Sequence, residues 1–216
     1  VALASKGKKA IIITHNETST AITNDIAAIA TEVRKFGDPL LLVDSVSGMG
    51  NLDLAVDELK LDVVFTSSQK AWMTPPGLAM VSVSPKAWNA YESATCPRYY
   101  FDFKKMKKYN DKGQTPETPA VSTIFALNAA LKLMIKRGVK ETFLYYKDIA
   151  SYTKKKLVNN GFTLFGDQMH ASNTVSACLV PEGIDDKVYR DLIKKKYNVI
   201  LSGGKGEVEG KIVRVA

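Results

Sequence analysis

The chain has 216 residues, 30 Lys or Arg against 22 Asp or Glu, a formal charge of +8 and 45% hydrophobic residues. That balance suits a globular protein with a real core and argues against disorder. No apolar run reaches the roughly 20 residues of a membrane helix, and two cysteines with two histidines give neither a disulfide framework nor a zinc signature, which suits a reducing, cytoplasmic setting.

The first apolar run, Ala10-Ile11-Ile12-Ile13, predicts a strand that ends in Thr14-His15-Asn16-Glu17-Thr18-Ser19-Thr20. Over 22–36, Ile22, Ile26, Ile29, Ala30 and Val33 have the spacing of an amphipathic helix. A second strand, Leu40-Leu41-Leu42-Val43, ends in Asp44-Ser45-Val46-Ser47-Gly48. A third, over 61–66, ends in Ser67-Ser68-Gln69-Lys70, with Pro75-Pro76-Gly77 beyond. Short unbroken apolar runs read as strands covered on both faces. A strand–helix–strand connection makes neighbours parallel. The strand ends, and with them Thr18, Asp44 and Lys70, then converge on one sheet edge, where open α/β folds bind ligands.

Each of the three has an ordinary reading: Thr18 as a helix cap, Asp44 as a cap or turn residue, Lys70 as a side chain leaving the sheet for solvent. Together they match what pyridoxal phosphate (PLP) requires. A lysine ammonium at a buried strand end is expensive unless paired or used, and a Schiff base uses it. An acid facing the pyridine nitrogen keeps the ring an electron sink, which suits Asp44. Thr18 could supply a hydroxyl beside the phenolic oxygen. Val46, two residues after the acid, points to the same side and could pack under the ring.

Farther along, 78–83 predicts a strand, 85–94 a helix opening after Ser84, 98–113 a polar connector bearing aromatics, and 114–119 an extended, proline-rich stretch. Helices follow over 121–137, closed by Gly138, and over 140–160, stopped by Gly161. The remainder predicts a strand at 174–180, a helix at 185–196, a strand at 198–201, a turn at 203–206 and a last strand at 210–215. Residues 1–138 thus read as a cofactor-binding layer, the C-terminal portion of a large domain, and 139–216 as a small C-terminal α+β domain. The lysine clusters at 104–108, 154–156 and 194–196 read as solvated faces rather than a nucleic-acid surface. Phe101, Phe103 and Tyr109 interleave with the first of these, a feature a single-strand platform would share, but a connector near a subunit interface is preferred. Gly203-Gly204-Lys205-Gly206 lacks the spacing of a P-loop.

Taken in order, Thr14-His15-Asn16-Glu17-Thr18-Ser19-Thr20, Val43-Asp44-Ser45-Val46-Ser47, Ser68-Gln69-Lys70 with Pro75-Pro76-Gly77, Tyr99-Tyr100-Phe101-Asp102, Thr118-Pro119-Ala120-Val121 and Gly210-Lys211-Ile212-Val213-Arg214-Val215 resemble the class V aminotransferases. These are PLP enzymes of fold type I, and the closer likeness is to the alanine–glyoxylate, serine–glyoxylate and serine–pyruvate group. The resemblance runs over essentially the whole chain. It implies an α/β fold with a mainly parallel sheet sandwiched by helices, plus a smaller α+β domain. It implies transamination between a small amino acid and a 2-oxo acid such as glyoxylate or pyruvate. In that scheme Lys70 carries the Schiff base and moves the proton, Asp44 holds the pyridinium, Thr18 touches the phenolic oxygen, Gln69 bonds the phosphate and Val46 packs on the ring. Thr118 reaches the phosphate of a neighbouring subunit, which implies a homodimer, and Arg214 clamps the substrate carboxylate, a bidentate task suited to arginine.

The chain departs from the family in three respects. Ala21 stands where relatives often have glycine, and alanine tolerates positive φ poorly. Thr115 stands where a phosphate-binding tyrosine is common. The family's chains are longer, with an upstream Gly-rich phosphate loop and a ring-stacking aromatic, so this chain reads as a portion of a longer enzyme and alone could be inactive. Two other readings follow: a non-catalytic relative serving as an assembly or binding subunit, or a class V lyase or desulfurase. Desulfurases usually carry histidine before the lysine, where this chain has Gln69, and neither Cys96 nor Cys178 looks poised to attack.

Overall fold

Strong β-formers in four short runs build the first sheet. The structure is a computed structural model that describes residues 2–216. After a short helix α1 (Ala2–Ser5) come β1 (Ala10–Thr14), the two-residue strands β2 (Asn16–Glu17) and β3 (Ile22–Thr23), and α2 (Ile26–Arg34). Then follow β4 (Leu40–Asp44), β5 (Val63–Ser67) and β6 (Ala79–Val83). The sheet order is β1-β4-β5-β6. β1 pairs parallel with β4 and β4 with β5, whereas β6 runs antiparallel to β5. The carboxyl ends of β1, β4 and β5 therefore share one edge, as the sequence predicts.

The predicted helix at 22–36 starts later, because Asp25 accepts a hydrogen bond from Ala28 N (2.9 Å) and caps α2. Ile22 and Thr23 instead pair with Glu17 and Asn16 in a small antiparallel hairpin. Ile26, Ala30 and Val33 of α2 pack on Ile13, Leu41, Val43, Leu61 and Val64. This is one face of the sheet, filled by alternate residues.

The other face is lined by Ile12, Leu42, Phe65 and Val81, and it stays open within these residues. Ile12 is 75% exposed and Val81 40%. The runs are apolar on both faces, as read from the sequence, but the described residues pack only one.

Beyond β6, Ser84 caps α3 (Pro85–Glu92), with Pro85 in its first turn. The connector predicted over 98–113 contains a helix, α4 (Phe103–Asn110), because Asp102 accepts from Lys105 N (3.1 Å) at its start. Two long helices, α5 (Val121–Arg137) and α6 (Val139–Asn159), meet at Gly138, whose φ of 97° suits only glycine.

The last part forms a three-stranded antiparallel sheet in the order β7-β9-β8 (Ser176–Leu179, Ile212–Val215, Ser202–Gly203), with α7 (Asp186–Tyr197) between β7 and β8. The strand predicted at 198–201 is displaced. Asn198 closes α7 in the left-handed conformation, φ 54°, so the chain leaves the helix in a turn and pairing begins only at Ser202. No helix among the described residues is long and apolar enough to cross a membrane.

Candidate active site

Register brings the strand ends together. Thr14 lies opposite Asp44, and Asp44 opposite Phe65. The ladder runs past the strands, with His15 N donating to Asp44 O (2.7 Å) and Ser45 N to Phe65 O (3.0 Å). Asp44 Oδ1 accepts from Val46 N (2.9 Å). Its turn role is therefore real, but it uses one carboxylate oxygen and leaves the other available. By alternation Asp44, Phe65 and Ser67 face the open side of the sheet. There Ser67 Oγ is buried without a hydrogen-bond partner among the described residues.

The loop after β5 is stapled shut around Ser68, which is fully buried. Ser68 Oγ donates to Pro75 O (2.7 Å) and Thr74 Oγ1 donates to Ser68 O (2.8 Å). Trp72 Nε1 donates to Thr66 Oγ1 (3.0 Å). A closed loop of this kind holds Lys70 at a defined place past the strand end. Lys70 and Gln69 are both exposed, so the expectation of a costly, half-buried ammonium is not met within these residues. A Cβ at Gly77 would lie 3.3 Å from Thr123 Oγ1, so this loop abuts the start of α5. Thr118, three residues ahead of α5, is exposed, and no hydrogen bond joins it to Thr18, Asp44 or Lys70 among the described residues. Thr115 nearby donates to Glu117 O (2.7 Å).

Thr18 sits in the turn between β2 and β3. The far end of the chain reaches it: Arg214 on β9 donates from Nη1 to Thr18 O (2.7 Å) and from Nε to Gly203 O (2.9 Å). Ala21 in the same turn adopts φ 58° and is buried among Val175, Ala177 and Ile212. Alanine thus adopts here the positive φ that it tolerates poorly, and its methyl group is packed against the second sheet.

Several residues to which the motifs gave no role organise the same region, among them Lys154, which is half-buried rather than part of a solvated face. Buried His15 bonds Ser45 Oγ through Nδ1 (2.9 Å), and burial holds its proton affinity below the ordinary value despite Asp53 nearby. Asn16 joins Ser47, Thr23, Ser172 and Thr174. Lys154 donates to Ser172 O (2.6 Å), and burial lowers its pKa. Their only signal in the sequence is a density of Ser, Thr, Asn and His around 14–24, 45–47 and 172–174.

Residues 2–211 match the family model described as Aminotransferase class-V. The chain belongs to the class V aminotransferase family. Among relatives of this class V chain, the soluble hydrogenase small subunit of Synechococcus sp. is 40% identical over 97% of the chain and 54% of the relative. The serine–glyoxylate aminotransferase of Hyphomicrobium methylovorum is 35% identical over 96% and 52%. In three dimensions the alanine–glyoxylate aminotransferase of Nostoc sp. superposes with TM-score 0.90 at 25% identity, covering 96% of the chain and 56% of that structure. The class V chain thus has the α/β fold, with a mainly parallel first sheet, of the fold-type I aminotransferases, and spans about half the length of the curated relatives it matches.

Proposed function

We propose that the protein of which this chain is part is a PLP-dependent aminotransferase that exchanges an amino group between a small amino acid and a 2-oxo acid such as glyoxylate or pyruvate. The residues fit the cofactor. The observation that carries the reading is the juxtaposition, at one sheet edge, of an Asp44 oxygen left free, the unpartnered Ser67 hydroxyl and the stapled loop bearing Lys70. When bound, PLP supplies an aldehyde to hold an amine and a ring that accepts the electron pair released at the substrate α-carbon.

Asp44 would face the pyridine nitrogen and keep it protonated. Lys70 would hold the cofactor through its aldehyde and, once the donor amine displaces it, its free amine would carry the α-proton. Thr18 would serve the phenolic oxygen, Val46 the ring face and Gln69 the phosphate. Arg214, with Nε and Nη1 tied to backbone carbonyls, directs its remaining N–H groups at the substrate carboxylate. The exposure of Thr118 supports its use by a neighbouring subunit in a homodimer, and the unpaired thiols of Cys96 and Cys178 support a cytoplasmic setting. A boundary at 138–139 between a cofactor-binding and a small C-terminal domain is supported by the separate sheets on either side of Gly138. The hydrogenase name belongs to the Synechococcus relative. The groups gathered here are those of amine and carboxylate chemistry.

Borohydride reduction of the full-length gene product, purified with PLP, tests the reading by mass spectrometry. A reduced adduct on the peptide containing Lys70, absent from Lys70→Ala, is expected. Absence of an adduct, or one on another lysine, overturns it in favour of a binding or assembly role.

A further inference from the structure

Three separate stretches of chain meet at one buried amide. Asn16, 3% exposed, lies directly beyond the end of β1. Its Nδ2 donates to Ser47 Oγ (2.9 Å) and to Thr174 Oγ1 (2.9 Å). Its Oδ1 accepts from Thr23 Oγ1 (2.9 Å) and Ser172 Oγ (2.6 Å). Ser47 Oγ also donates to the Asn16 carbonyl (2.7 Å). A carboxamide offers two N–H donors and two lone-pair positions, so this one is saturated. An aspartate would lose both donors, and a leucine would remove the amide from four hydroxyls at a half-buried junction.

What hangs on each partner gives the amide its meaning. Ser47 follows Val46, in the turn that Asp44 Oδ1 closes. Thr174 leads into β7, where Ala177 lies opposite Arg214 on β9. Two residues along from Asn16 itself is Thr18, whose carbonyl receives Arg214. Adhesion between the two sheets already has an apolar source, since Ala21 is packed among Val175, Ala177 and Ile212. That contact supplies area but little direction. A saturated polar crosslink adds direction, because each hydrogen bond restricts distance and angle.

We propose that Asn16 is a positioning residue. It sets the separation between the groups at the ends of β1 and β4, which hold the cofactor ring, and the Arg214 guanidinium, which holds a carboxylate. One small amino or 2-oxo acid then meets both at once. The inference rests on the PLP reading above. The amide has two arms, one through Ser47 to the turn after Asp44 and one through Thr174 and Ser172 to the sheet of Arg214. The arms act on different ligands and can be cut separately.

The experiment uses the full-length gene product and four readouts: PLP affinity of the apoenzyme by absorbance, affinity of the PLP-loaded enzyme for propionate as an unreactive carboxylate, KM and kcat for the 2-oxo acid, and Tm. Thr174→Val removes one hydroxyl at nearly constant shape. It is expected to raise propionate Kd and oxo-acid KM by about 3- to 10-fold, because Thr174 Oγ1 bonds both Asn16 Nδ2 and Ser172 Oγ, while PLP affinity and kcat stay within about twofold. Thr174→Ser, which keeps the hydroxyl, is expected to restore both. Ser47→Ala is expected to do the reverse, weakening PLP by a similar factor and leaving propionate unchanged. If both variants lower Tm and leave both affinities intact, Asn16 holds the fold only and the proposal is overturned. A wild-type protein that binds neither PLP nor propionate overturns the functional reading as well.

Discussion

The two faces of the first sheet are built from the same strands and have opposite fates. On one, Leu41, Val43 and Val64 are buried beneath Ile26, Ala30 and Val33 of α2. On the other, Ile12 and Val81 remain exposed, and Asp44 and Ser67 stand beside them. In residue type the two faces are nearly equal, for Ile12 and Ile13 are neighbours of identical chemistry. The difference teaches that apolar alternation reports which faces a strand can bury, not which one a given stretch of chain covers. It also separates tasks: the packed face carries stability, and the open one carries Asp44, with one carboxylate oxygen outside the turn.

The sharpest way to break that comparison is a pair of truncations in the 216-residue chain. Leu41→Ala is expected to cost about 3 kcal/mol, as for other buried leucines, whereas Ile12→Ala on the open face should stay within about 0.5 kcal/mol. Urea unfolding of both variants measures this. Equal losses would mean that the second face is packed after all. Repeating Ile12→Ala in a longer polypeptide extends the test, since a loss there comparable to that of Leu41→Ala would show the face covered in that context.

A second prediction concerns the edge shared by both faces. His15 is buried and its folded-state pKa lies below the ordinary 6.5. The unfolded chain therefore binds the proton more readily. The stability that neutral His15 contributes is fully present above about pH 6.5, and it is lost as pH falls from there through the lower folded value. Thermal unfolding between pH 8 and pH 5 should show a steeper fall in Tm for the wild type than for His15→Asn. Parallel profiles would remove His15 as the source. His170, exposed and paired with Asp167, serves as a control, and its replacement should leave the His15-dependent slope in place.

The smallest effect is expected where the first sheet's loop enters the second core. Ala21→Gly relieves a left-handed alanine, worth roughly 1–2 kcal/mol, but removes a buried methyl group worth about 0.8 kcal/mol and frees the unfolded backbone. The net change should lie within about 0.5 kcal/mol of zero by denaturant unfolding. A gain well above that would mean that the Ala21 methyl contributes little to the contact with Val175 and Ile212.

Much of the candidate site was legible because it is local. Thr18, Asp44, Val46 and Lys70 each follow a recognisable apolar run, and parallel pairing of short runs suffices to gather their strand ends on one edge. Helix starts were legible where the capping residue stood alone, as at Ser84, and misread where another option competed. Ile22 fits a helical face but pairs in a hairpin, and Asp102 starts a helix inside what looks like a polar connector. The strand expected at 198–201 failed because Val199 and Ile200 are apolar, whereas the left-handed turn at Asn198 is a backbone property that composition does not carry.

The sequence by itself determined the run of strands and helices, the family, and which residues end the parallel strands. These depend on periodicity and on neighbours within a few positions. Only the tertiary structure decided that Arg214 reaches the carbonyl of Thr18, that Asn16 joins segments more than 150 residues apart, and that one face of the sheet is left open. Those outcomes depend on hydrogen-bond direction and on which surfaces meet across long sequence separations, and neither is encoded in the spacing of residues along the chain.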